Sequence, residues 1–250
     1  MSVYLPDNRI TAPELFYPGR KPTVPVKINW NHPLVKGMRA ALFTAPNANL
    51  LIDYVRKIAI NVDEVKNGFV IFNGNRSYPI GLSELNGSDA MSITTRAYTT
   101  NINSNGNIVS SHDTTVSSDE YVSLRFDVSG VWSGGARVFK AAFVEQANAA
   151  TESYAESWQV NRASNITSYW KKGDSQVGLF VDGISAFDNA QEQVITRDKV
   201  TFKSSQLRLG LGPQFGLQGG IAFVIIHDRT LTPTEISSLH QNPYQFLEAA

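Results

Sequence analysis

Between Gln206 and Phe246 the residue pattern leaves the backbone few alternatives. Leu207, Leu209 and Leu211 alternate with Arg208 and Gly210, the period of a strand with one buried face. Ile221 to Ile226 is an unbroken apolar run of strand length, which suits a strand covered on both faces. Thr232 can cap a helix, Pro233 fits its first position, and Glu235 completes a capping box. Ile236 and Leu239 then share one face of that turn, which must lie against a sheet. A chain ending this way predicts a layered, all-β domain.

The preceding segments fit that expectation. Val122, Leu124, Phe126 and Val128 form one face of an amphipathic strand, and Met91, Ile93 and Thr95 alternate in the same way. Strands are also expected within Ile52–Val62, Phe69–Phe72, Ile108–Ser111, Val138–Val144, Ser157–Val160 and Ile166–Trp170. Asn73-Gly74 predicts a hairpin. The Ala-rich, polar stretch Gln146–Glu156 fits a short helix or a surface loop.

With 250 residues the chain suits one large β-domain. Its 22 basic and 22 acidic residues cancel, so no nucleic-acid or membrane partner is expected on charge. It has no cysteine, which excludes disulfides and thiolate metal sites and favours folding in a reducing cytoplasm. The N-terminus lacks a signal-peptide layout, and no apolar run reaches membrane-spanning length.

The first thirty residues have a different texture. Pro6, Pro13, Pro18, Pro22 and Pro25 forbid a regular helix and favour an extended path. A free linker would be polar, yet this one carries Tyr4, Leu5, Leu15, Phe16, Tyr17 and Trp30. These are the candidate anchors of a docking arm over residues 1–33, ahead of a domain over 34–250. The arm would either strap its own domain or dock on a neighbouring subunit.

Sugar binding needs an exposed aromatic platform. Trp132, Tyr169 and Trp170 are its candidates, in Gly-, Ser- and Lys-rich settings typical of loops and strand ends. His32, His112, His227 and His240 lack the spacing of a metal pair, and Ser110-Ser111-His112-Asp113 is no triad, because triads assemble from separate segments.

The series Asp228-Arg229-Thr230-Leu231-Thr232-Pro233-Thr234-Glu235-Ile236, then Asn242-Pro243-Tyr244, resembles the closing tail of the laminin-G / concanavalin A-like lectin and glucanase family. It is most similar to the versions found in tailed-bacteriophage virion proteins. His32–Met38 resembles that family's opening, and Gly178–Ile184 its central hairpin, which implies a turn at Asp182-Gly183. The resemblance implies a concanavalin A-like jelly-roll sandwich behind a Pro-rich arm. Relatives of this kind can bind calcium, for which Asp113, Asp119, Asp188 and Asn189 are the candidates. Calcium takes about six to eight oxygen ligands, and no dense acidic loop supplies them, so no cofactor or metal is expected. Hydrolases on this fold carry paired carboxylates on one strand, about 5–5.5 Å apart for retaining chemistry. Asp63-Glu64 and Asp119-Glu120 are adjacent pairs that would point apart, so no catalytic residue and no enzyme is expected. The expected role is a non-enzymatic capsid decoration protein of a phage virion. It would clamp the major capsid protein or other virion subunits through its arm, as a homo-oligomer on the particle. The alternative is a receptor-binding protein that holds host-surface glycans.

Overall fold

Ile221 to Ile226 sit at the centre of the structure, with a layer packed on either side of them. The structure is a computed structural model that describes residues 22, 25–45, 48–101, 106–111, 122–127, 138–146, 149–157, 159–174, 177–185, 207–210 and 216–250. Along the chain the first strands are β1 (Val26–Ile28), β2 (Met38–Thr44), β3 (Leu50–Asp53), β4 (Ile58–Asn61), β5 (Val65–Lys66) and β6 (Phe69–Asn73). Next come β7 (Tyr78–Gly81), β8 (Ala90–Thr99), β9 (Gly106–Ser110), β10 (Ser123–Asp127), β11 (Val138–Gln146) and β12 (Ala149–Ser157). Then follow β13 (Ser164–Lys171), β14 (Gly178–Val181), β15 (Ile184–Ser185), β16 (Leu207–Leu209) and β17 (Gln218–His227). Helix α1 (Pro233–Gln241) and β18 (Leu247–Ala249) complete the order.

All the recorded pairings are antiparallel. One sheet runs β12-β11-β10-β9-β16-β7. The larger runs β15-β14-β13-β8-β17-β2-β3-β4, with β6 also on β17 and β5 on β6. The two sheets share one core: Ile108, Leu124, Phe126, Leu207 and Leu209 from the smaller meet Leu42, Met91, Ile93, Val224 and Ile226 from the larger. The larger sheet is covered on its other face too. There Phe43, Phe223 and Ile225 pack under Ile236 and Leu239 of α1, with Ile28, Leu34 and Phe246. A bulge against β8 between Ile221 and Phe223 shifts the side-chain alternation of β17, so Ile221 and Val224 face the same core. Each such fully buried side chain contributes about 1.5–3 kcal/mol.

Helix α1 begins as its residues predict. The Thr232 side chain accepts the Glu235 N–H, and the Glu235 carboxylate accepts the Thr232 N–H at 2.8 Å. Arg229 grips the same carboxylate through two bonds of 2.9 and 2.7 Å, which holds Glu235 down at a pKa of about 2. Asp182-Gly183 turns β14 into β15 with both residues at positive φ. Asn73-Gly74 does not make a hairpin: β6 pairs with β17 and β7 with β16, so this turn carries the chain from one sheet to the other. The tight turn between β5 and β6 is Asn67-Gly68 instead. The stretch expected as helix or loop is β12, recruited by pairing with β11.

The described end of the N-terminal segment belongs to the domain's own periphery. β1 pairs with β18, and the Ala250 N–H donates to the Pro25 carbonyl at 3.1 Å. Tyr4, Leu5, Leu15, Phe16 and Tyr17 lie outside the described residues.

Candidate functional site

A groove of about 670 Å³ opens between the β1–β18 ribbon and the β3–β4 hairpin. That volume is within the range of small-ligand sites. Each wall has a local cause. Behind β1 the Asn29 side chain accepts the Asn31 N–H at 3.1 Å, and the Asn29 carbonyl accepts the His32 N–H at 3.0 Å. This turn puts Trp30 at its tip, 58% exposed. The chain then re-enters the fold through the turn Pro33–Val35, whose first N–H is capped by the His32 ring. Burial lowers the pKa of that imidazole.

The opposite wall is built on a buried carboxylate. Asp53 Oδ1 accepts the N–H groups of Ala41, Val55 and Arg56, and Oδ2 accepts Arg56 Nε at 2.6 Å. Those bonds fold residues 54–57 into the turn that leads to β4. Tyr54 stands half-buried with its ring centroid 6.0 Å from that of Phe43, and burial raises its phenol pKa. Lys57 ends the turn at φ 58°, and Ile58 follows it, 42% exposed. With both oxygens committed to hydrogen bonds, Asp53 shapes the groove. At the rim, Lys27 pairs with Glu248 at 3.8 Å across the β1–β18 ribbon.

The groove is therefore lined by the exposed Trp30 together with Tyr54, Ile58, Asn29, Asn31 and Lys57. It is a binding arrangement: an apolar face for a ring, edged by hydrogen-bonding groups. Of the residues proposed from sequence that the structure describes, only Trp30 is here, and it comes from the arm set.

Of the sequence-based platform, the structure describes Tyr169 and Trp170. Trp170 is fully buried, faces Met91 across the β13–β8 pair, and donates its indole N–H to the Asp174 carbonyl, so it cannot be an exposed platform. Its period on β13 places it in the core between the sheets. Tyr169 lies over Gly178 on β14, where a Cβ would collide with the ring, and its ring centroid is 6.2 Å from that of Phe180. It fills space that the glycine leaves open. Trp132, Asp113, Asp119, Asp188 and Asn189 lie outside the described residues. Among the described residues no group of three or more His, Asp or Glu could hold a metal, and no helix is long and apolar enough to cross a membrane.

His227 and His240 have structural environments. His240 Nδ1 accepts the Gly183 N–H at 3.0 Å, so its Nε2 donates to Thr167, 2.8 Å away. Burial lowers both imidazoles to pKa values of about 4.

No protein-family model matches the chain, and no curated protein matches it. Solved structures do. A mutant of Trypanosoma rangeli sialidase displaying trans-sialidase activity matches with a TM-score of 0.59 at 14% identity, over 85% of this chain and 34% of that one. Domain 4 of AbnA, a GH43 extracellular arabinanase from Geobacillus stearothermophilus, in complex with arabinotriose, matches with a TM-score of 0.52 at 14% identity, over 73% of this chain and 81% of that one. A mutant NanB sialidase from Streptococcus pneumoniae gives 0.51 at 14% identity, over 68% and 27%. The chain thus spans about a third of the length of the T. rangeli sialidase chains it matches. The expectation that the chain is no enzyme is corrected by these matches. Its fold is one found in glycosidases, and a missing carboxylate motif is no ground for setting it apart from carbohydrate-active proteins.

Proposed function

We propose that this chain is a carbohydrate-binding protein of the concanavalin A-like, jelly-roll kind, carried on a tailed-phage virion, where it holds host-surface glycans. The exposed Trp30, set over a groove edged with Asn29, Asn31 and Lys57, carries the reading. Sugar rings present apolar C–H faces that stack on an indole, while their hydroxyls need the amide and ammonium groups around it. The match to an arabinanase domain in complex with arabinotriose supports it at the level of fold. The test is binding of the purified chain to a panel of immobilised oligosaccharides. Trp30→Ala should abolish binding while leaving the melting transition in place. Binding unaffected by Trp30→Ala would place any sugar site elsewhere.

A second reading, a capsid decoration subunit, is favoured by β4. It is the edge of the larger sheet, and its outer side has no backbone partner among the described residues. Ile58 and Ala59 leave that edge without the charges that usually protect one. A major capsid protein or a second copy of this chain could add a strand there. Particles assembled with an Ile58→Lys variant should then lose the subunit, whereas glycan binding alone would leave occupancy unchanged.

A further inference from the structure

The charges around the groove do not balance. Lys27 is paired with Glu248, and Asp53 with Arg56 just behind the wall. Lys57 has no ion pair among the described residues, so three cations face two carboxylates and one positive charge is left over. The backbone at Lys57 adds a second observation. Its φ of 58° is a left-handed conformation that glycine or asparagine adopts more readily than lysine. Such backbone conformations cluster at binding and catalytic sites. The Asp53 clasp holds Val55 and Arg56, the two residues before Lys57, so Lys57 is set at the groove edge beside Ile58.

Resting on the sugar-binding reading above, we infer that the preferred ligand is an acidic saccharide. Its ring lies on Trp30 and its carboxylate pairs with Lys57. A neutral sugar would leave the Lys57 charge to water. A carboxylated one neutralises it at the groove edge, an attraction of the modest size expected for an exposed pair. The Asn31 side chain, with no partner among the described residues, remains for a ring hydroxyl.

Two matched pairs of probes test this: oligogalacturonate against its methyl ester, and sialyllactose against lactose. In at least one pair the acidic member should bind about three- to fivefold more tightly at low ionic strength, the range of a partly exposed ion pair. The preference should fade as salt approaches about 1 M. Lys57→Asn, which suits the left-handed backbone, should remove the preference, and Lys57→Arg should retain it. Equal, Trp30-dependent binding within both pairs would overturn the acidic preference and leave the sugar-binding reading intact. A preference that survives Lys57→Asn would overturn the role given to Lys57. If no probe binds in a Trp30-dependent way, both readings fall together.

Discussion

His227 donates its Nε2 proton to the carbonyl of Leu34, 2.8 Å away and 193 residues earlier in the chain. The bond joins the end of the central strand to the turn that follows Trp30, so one wall of the groove is tied directly to the middle of the larger sheet. Burial keeps this imidazole neutral against the pull of that bond, since a proton on Nδ1 would have no partner among the described residues.

That burial gives stability a defined dependence on pH. His227 and His240 have folded pKa values of about 4, against 6.5 for the free side chain. The unfolded chain therefore binds more protons between those values. Stability contributed by these groups should be full above pH 6.5 and fall as pH drops towards 4, by at most about 1.4 kcal/mol per pH unit for each histidine. Glu235 acts lower: its stabilisation is present above 4.5 and is lost as pH falls towards 2. Urea midpoints measured from pH 8 to pH 3 should decline through the first window, and His240→Gln should flatten that decline. A flat profile between 6.5 and 4 would contradict the buried, neutral assignment.

The tryptophans should separate cleanly. Trp170→Ala empties a fully buried position in the main core and should cost about 3–5 kcal/mol. Trp30→Ala removes an exposed ring and should change stability by less than about 0.5 kcal/mol. Paired thermal melts check this, and they also establish that loss of binding in the Trp30 variant is not loss of fold.

Asp53→Ala should destabilise by about 3 kcal/mol, because it strands a guanidinium and three backbone donors beside a buried site. The loss should be local as well as global. Amide exchange at Val55 and Arg56 should accelerate more than at β17, and sugar affinity should drop with the turn.

Gly178→Ala should be destabilising by about 1–3 kcal/mol although it adds only a methyl group, since the Tyr169 ring occupies that space. Combining it with Tyr169→Ala should recover part of the loss, a coupling that a double-mutant cycle measures.

Much of the frame was legible before any coordinates. The doubly buried run Ile221–Ile226, the Thr232–Glu235 capping box and the Asp182-Gly183 turn all rest on local rules, and local rules survive in the fold. β12 was not legible, because Ala, Glu and Ser have weak strand preference and only pairing with β11 makes that segment extended. Asn73-Gly74 has the composition of a hairpin, yet which sheet receives the next strand is decided by long-range packing. The groove was the least legible part. Lys27, Lys57 and Glu248 are ordinary surface residues in sequence, and only the β1–β18 pairing and the Asp53 turn bring them around Trp30. The Trp170 setting misled because lysines and a glycine follow it, while its own position on β13 points inward.

The position of β17 also fixes when this molecule can take shape. It lies between β2 and β8 and also carries β6, all of them made long before it. During synthesis those earlier strands must wait, with apolar faces uncovered, until residues 218–227 leave the ribosome, and β1 waits longer still for β18. Nascent chains would depend on chaperones through most of translation. The Trp30 groove would come into being as one of the last events of folding, so that a prematurely released chain lacks it.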